Sequence, residues 1–118
     1  MSRINSLKKN RDFQRVYSKR QSFANRSLVM YKMSNDRADT RIGISVSKKV
    51  GNSVVRHHLT RLVRESYRLH EEMFESGLDI VVICRVNAKN ASYHEIEHAL
   101  LGLAKKHGIV VENEKKME

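Results

Sequence analysis

The sequence predicts an α+β fold, a two-layer sandwich with the element order αβββαβα. Three observations carry this reading. Three segments place apolar residues at helical spacing, four have the composition or alternation of strands, and one helix lies between strands of a single sheet, which calls for a crossover. Asn10 is placed to cap a first helix running to about Lys19, where Phe13, Val16 and Tyr17 fall at i, i+3 and i+4 on one face. A short strand follows around Ser22–Ala24. Leu28–Met33 is rich in β-favouring residues and ends in the turn-rich Ser34-Asn35-Asp36-Arg37-Ala38-Asp39. Thr40–Lys48 alternates, with Ile42, Ile44 and Val46 pointing one way and Arg41, Gly43, Ser45 and Ser47 the other. These two strands are expected to pair as a hairpin. Gly51-Asn52-Ser53 breaks the strand and caps a long helix, Val54–Phe74. Asp79–Val86 contains the unbroken apolar run Ile80-Val81-Val82-Ile83-Cys84, the pattern of a strand covered on both faces. Ser92 and Glu95 form a capping box for a last helix that buries Ile96, Ala99, Leu100 and Leu103 and that Gly108 can end.

A length of 118 residues suits one domain, residues 1–118, with a flexible tail expected from about residue 112. Neither repeats nor an interdomain linker is visible. The chain carries 23 Lys and Arg against 13 Asp and Glu, a net charge of +10, which predicts a polyanionic partner. Residues 1–68 hold 17 basic and 4 acidic side chains, net +13, so the first half is expected to build the binding surface. No segment is apolar for about 18 residues, and the first residues lack the apolar run of a secretory signal. With Cys84 as the single cysteine, no internal disulfide can form. Cytoplasmic localisation, without a membrane partner or an obligate protein partner, is the expectation.

The charge concentrates on the long helix. Val55, Leu59, Leu62, Val63, Leu69 and Met73 gather on one side, and Arg56, His57, Thr60, Arg61, Arg64 and Arg68 on another. Lys48 and Lys49 lie just before its N-terminus, which itself attracts anions. The planar guanidinium fork suits phosphate, while the bland alternative is a solvated face with no partner. A DNA helix-turn-helix does not fit, because a strand precedes this helix. RNA fits better, through phosphate contacts and stacking on splayed bases. Phe13, Tyr17 and Tyr31 are candidates for stacking, although their spacing alone favours core packing.

The segment Ile44-Ser45-Val46-Ser47-Lys48-Lys49-Val50-Gly51-Asn52-Ser53-Val54-Val55-Arg56, followed by Arg61-Leu62-Val63-Arg64-Glu65, resembles the signature of the bacterial ribonuclease P protein family. The resemblance extends back through Lys9-Asn10, Asp12-Phe13, Tyr17 and Ala24-Asn25-Arg26, and forward through Asp79-Ile80-Val81-Val82-Ile83. It implies a ribosomal protein S5 domain 2-like fold with a left-handed βαβ crossover, an exception to the usual hand. It further implies a protein subunit of an RNA-based endoribonuclease, in which the RNA performs the hydrolysis with Mg²⁺ and the isolated protein needs no cofactor. The implied partners are the ribonuclease P RNA, bound by Lys48, Lys49, Arg56, His57, Arg61, Arg64 and Arg68, and precursor tRNA. The precursor's 5′ leader would lie in a cleft formed by Phe13, Tyr17, Val29 and Tyr31. One departure stands out. The family usually reads Arg-Asn-x-x-Lys/Arg-Arg where this chain has Arg56-His57-His58-Leu59-Thr60-Arg61, so His57 replaces an amide and Thr60 a basic residue.

His94-Glu95-Ile96-Glu97-His98 fits the zinc-protease pattern H-E-x-x-H, but its histidines fall opposite Ile96 and Leu100 and no third ligand follows. Cys84, inside an apolar strand, is expected to be inert. No catalytic residue and no metal ligand are assigned to the protein. A structural RNA binder of ribosomal type without leader recognition is the main alternative, and a small zinc hydrolase is a distant third.

Overall fold

Five consecutive apolar residues, Ile80 to Cys84, leave a strand with no polar face to turn to water, so it must be covered on both sides. In the computed structural model, which describes residues 4–111, that strand is β4 (Leu78–Cys84), and all of it is buried except the half-buried Ile83. Around it lie helices α1 (Asn10–Ser18), α2 (Ser53–His70) and α3 (Tyr93–Lys106) and strands β1 (Ser22–Ala24), β2 (Leu28–Ser34) and β3 (Arg41–Val46). Short 3₁₀ turns follow α2 at Glu71–Met73 and β4 at Val86–Ala88. The tail expected from about residue 112 lies outside the described residues.

The sheet order is β1-β2-β4-β3, which corrects the expected hairpin: β2 and β3 do not pair. β4 runs between them, antiparallel to β2 from Leu28↔Cys84 to Ser34↔Leu78 and parallel to β3 from Arg41↔Asp79 to Val46↔Cys84. A β2–β3 hairpin would have left the most apolar strand at an edge with unpaired backbone groups. Insertion pairs both of its edges, and α2 provides the crossover that parallel neighbours require. The free edge of β3 is partly covered by the N-terminal segment, where Leu7 N–H donates to the Ile42 carbonyl and Ile42 N–H to that of Asn5, both at 2.9 Å.

The two faces of the sheet have different coverings. Leu28, Met30, Ile42, Ile80, Val82 and Cys84 face α2 and α3 and pack with Leu59, Val63, Tyr67, Ile96, Leu100 and Leu103. On the opposite face, Met33 and Val81 pack with Leu7 and with Val16 of α1. Helix ends follow local chemistry. Asn52 Oδ1 accepts from Val55 N–H at 3.0 Å, and the Ser92–Glu95 capping box has both of its bonds, at 2.8 and 3.2 Å. Gly108, at φ 72, follows the α3 C-cap in the left-handed backbone that glycine tolerates. Two boundaries differ from expectation. The α1 N-cap is Lys9, whose carbonyl accepts from Asp12 and Phe13 while no side chain caps, so Asn10 is already helical. α2 stops at His70 because the following turn must carry Phe74 into the core, edge-on to Tyr67 at 4.9 Å. Leu69, expected on the apolar stripe, is 55% exposed, and Ser66 and Tyr67 face inward in its place.

The link from β2 to β3 steps over the end of β4 and is pinned by a buried carboxylate. Asp79 has no exposed side-chain surface, and Arg41 reaches it in a two-pronged pair at 2.9 and 2.7 Å. The Asn35 amide adds a bond at 2.8 Å. Burial pushes the Asp79 carboxyl upward, but the bonds from Arg41 and Asn35 outweigh it and hold the group below its usual range. Arg41→Met, which strands this carboxylate, should cost about 3–5 kcal/mol in urea unfolding at pH 7. Because the folded-state value is depressed, the stabilisation is complete above the free-carboxyl value of ~3.9 and is lost as pH falls through the lower folded value. Asp79→Asn should flatten stability against pH in that acid window; an unchanged profile would contradict the assignment.

Candidate nucleic-acid interface

The periodicity that buries Leu59, Val63 and Tyr67 turns a row of basic side chains outward on the far side of α2. His57, Arg61, Arg64 and Arg68 fall at i, i+4, i+7 and i+11, and all four are exposed. At 1.5 Å per residue the row spans roughly 16 Å of one helix face. Arg68 is partly neutralised, since its guanidinium holds Glu65 through two bonds at 3.0 and 2.6 Å, whereas no ion pair engages Arg61 or Arg64 among the described residues. Arg56 stands apart from this row. It is half-buried and turned back to donate to the Gly51 carbonyl at 3.2 Å. Thr60 is half-buried and donates to the Arg56 carbonyl at 2.9 Å. Lys48 and Lys49 are exposed on the turn before α2, which Val50 anchors in the core. The turn can approach the helix because Gly51 lacks a Cβ, which would lie 2.8 Å from the Val55 side chain. The expected cations therefore share one end and one face of α2, with Arg56 directed to its first turn.

The aromatic residues lie on the other side of the sheet. Phe13 and Tyr17 project from α1 and Tyr31 from β2, all half-buried. Ring centroids are 6.5 Å apart for Phe13–Tyr17 and 4.9 Å for Tyr17–Tyr31, each pair edge-to-face. Val29, half-buried, is two residues before Tyr31 and so on the same sheet face. The four residues expected in a cleft are thus brought to one surface, where each ring has a packed side and an open side. A groove of about 440 Å³ opens beside Phe13 and Tyr17 and is also lined by Lys8, Asn10, Gln14 and Ser45. Burial raises the Tyr17 hydroxyl pKa, against the lowering effect of its Ser45 hydrogen bond, so the phenol stays protonated at neutral pH.

Lys8 and Ser45 were not singled out from the sequence. The alternation of β3 carried a signal, because it puts Gly43 and Ser45, both small, on the face opposite Ile42 and Ile44. Small residues there leave room for α1. At Gly43 the requirement is strict: a Cβ would lie 2.5 Å from Phe13 Cζ and 3.1 Å from Leu7 Cβ.

His94 and His98 are exposed on α3, with His94 Nδ1 3.7 Å from Glu97. Glu97 also bonds His70 Nε2 at 2.7 Å, an α2–α3 link that sequence spacing does not reveal. No three His, Cys, Asp or Glu side chains form a group able to hold a metal ion among the described residues, and the carboxylate beside the cation row, Glu65, is engaged by Arg68. The side chains near α2 therefore do not fit a protein-held Mg²⁺. Burial pushes the Cys84 thiol up to about 12, so it is not a thiolate at neutral pH. No helix among the described residues is long and apolar enough to cross a membrane.

These surfaces define a small basic α+β protein whose exposed basic side chains and aromatic rings lie on open faces rather than in an enclosed pocket. The family model described as Ribonuclease P matches residues 1–108. The chain is 53% identical over 109 residues to the ribonuclease P protein component of Lachnoclostridium phytofermentans, covering 92% of this chain and 94% of that one. Against the Alkaliphilus metalliredigens protein component it is 52% identical, with 90% and 96% covered. Among solved structures it is similar to the RNase P protein of Staphylococcus aureus, at TM-score 0.84 and 38% identity over 92% of this chain and all of that one. The Thermotoga maritima RNase P protein gives TM-score 0.79 and 30% identity over 86% of this chain and 96% of that one. The chain belongs to the ribonuclease P protein component family, and with that membership goes a part in tRNA processing.

Gly43→Ala should destabilise the fold by about 1–3 kcal/mol through overpacking against Phe13. In the Gly43→Ala/Phe13→Ala double variant the clash is gone, so the two losses should sum to more than the measured total. Strict additivity in denaturant titrations would show that Gly43 does not set the seat of Phe13.

Proposed function

We propose that this chain is the protein subunit of the ribonuclease P ribonucleoprotein and promotes endonucleolytic 5′-end maturation of tRNA in the cytoplasm. It binds the catalytic RNA through Lys48, Lys49, Arg56, His57, Arg61, Arg64 and Arg68, and holds the 5′ leader of precursor tRNA against Phe13, Tyr17, Val29 and Tyr31. Hydrolysis belongs to the RNA subunit, with Mg²⁺ bound mainly by RNA. The observation that carries this reading is that the exposed cations of α2 and the aromatic groove lie on opposite sides of one sheet, so one small domain can touch two RNAs at once. Guanidinium forks suit phosphates, and partly open rings suit unpaired bases, which A-form helices do not offer.

The deciding experiment compares processing of precursor tRNA by ribonuclease P RNA at low Mg²⁺, with and without the chain. Mature 5′ ends should accumulate only with both, and cleavage by protein freed of RNA would overturn the division of labour. Tyr31→Ala should weaken holoenzyme affinity for precursor about 5-fold or more, the loss of one stacked base, while leaving mature tRNA unaffected. Equal losses for both substrates would remove the cleft and leave a general RNA binder.

The ion-pair pattern separates the arginines further. Arg61→Ala and Arg64→Ala should each flatten the log–log salt dependence of RNA-subunit binding by about 0.7–0.9 per phosphate contact. Arg68→Ala should do so less, because Glu65 already competes for its guanidinium. Identical slopes in wild type and all three variants would move the binding face elsewhere.

A further inference from the structure

We infer that a second contact for single-stranded RNA lies at the outer edge of the sheet, around Phe23, where the leader continues after it leaves the cleft. This rests on the leader reading above and extends it to a surface outside the four cleft positions. β1 is an edge strand whose three residues are all exposed, and Phe23, 42% exposed, is the one aromatic among the large exposed hydrophobics of the described residues. Its ring is held in place. It stands edge-on to His107 at 4.8 Å, and His107 is fixed by donating Nε2–H to the Met30 carbonyl at 2.8 Å.

Cations surround this ring. Lys106 Nζ lies 5.5 Å from its centroid, and Arg20 and Lys32 line the adjoining hollow of about 360 Å³ with Gln21 and Ser22. No acidic side chain lines that hollow. A fixed, open aromatic face ringed by Lys and Arg is the chemistry that holds unpaired nucleotides without reading their sequence. The backbone adds an independent sign. Arg20, just past the end of α1, is the only non-glycine residue with a positive φ among the described residues, at 56°. Glycine would end this helix without strain, so the arginine breaks a local rule at the point where its cation faces the hollow.

The hollow lies around the β1 edge from the cleft: Phe23 pairs with Met30 and so turns toward the α3 side, while Val29 and Tyr31 face α1. In the sheet register Ser22 stands opposite Tyr31 and Ala24 opposite Val29, so the cleft floor borders β1 directly. Both β1 residues on that face are small, and nothing bulky on β1 separates Tyr31 from the edge. A strand crossing Val29 and Tyr31 meets the β1 edge one strand spacing, about 4.8 Å, further on, and β1, the edge strand, is where it can turn to the other face. Once around that edge, a later base can stack on Phe23, and Arg20, Lys32 and Lys106 can take the flanking phosphates.

The test uses the assembled holoenzyme with mature tRNA, a precursor whose short leader fills only the cleft, and a precursor with a longer leader. Two variants are needed. Phe23→Ala removes the platform, and Arg20→Gly removes a cation while relieving backbone strain, so it should fold at least as well as wild type. Each should lower affinity for the long-leader precursor, Phe23→Ala by about 5-fold or more, and leave the short-leader precursor, mature tRNA and RNA-subunit binding unchanged. If Tyr31→Ala separates precursor from mature tRNA while Phe23→Ala and Arg20→Gly leave leader-length dependence intact, the inference fails and the cleft stands. If Tyr31→Ala makes no such separation, the cleft reading fails, and the inference falls with it. Weaker binding of the RNA subunit alone in both variants would also overturn the inference, since the patch would then face that RNA.

Discussion

The fold depends on a strand that has no polar side. β4 offers apolar residues to both faces and backbone donors and acceptors to both edges, so it is satisfied only in the interior of the sheet. Placing it there separates β2 from β3, requires a crossover through α2, and gives the molecule two apolar sheet faces where a simple hairpin would have one. α2 and α3 cover the first face. The second is covered only in part by α1 and the N-terminal segment, and the groove lies in the part left open.

The groove is a consequence of side-chain size. Gly43 and Ser45 put little volume on the α1 side of β3, which lets Phe13 descend onto the sheet and Tyr17 reach the Ser45 hydroxyl. The aromatic rings are therefore neither pure core nor pure surface. Burying one side of each ring fixes its orientation, and the open side stays available without further ordering on binding, which lowers the entropic cost of contact.

Charge is arranged by the same geometry. Three carboxylates hold structure together: Asp79 under Arg41, Glu97 of α3 against His70 of α2, and Glu95 in its capping box. Of these, Asp79 is removed from the open surface altogether. What remains exposed on the outer face of α2 is mostly positive, and the sheet keeps this field on the side away from the aromatic groove. In the function proposed above, such separation would let a domain of 118 residues contact two polyanions without either competing for the same cations.

Much of this was legible in the residues themselves. The apolar run in β4, the alternation of β3, the Ser92–Glu95 capping box and the cation sector of α2 are local patterns. Period and propensity read such patterns correctly because each is set by neighbours within a turn or two. Helix ends and strand partners were not legible in the same way. The pairing of β2 with β4 rather than β3, the exposure of Leu69, the turning of Arg56 toward Gly51 and the capture of Arg68 by Glu65 depend on what packs nearby. The bond from His70 to Glu97 and the nearness of Ser22 to Tyr31 join residues that no periodicity links. The sequence alone determined which faces are apolar, which are cationic and where chain direction changes, because those follow from side-chain chemistry and spacing. Only the tertiary structure decided which strand edges meet and which cations stay unpaired, because those depend on burying β4 from every side at once.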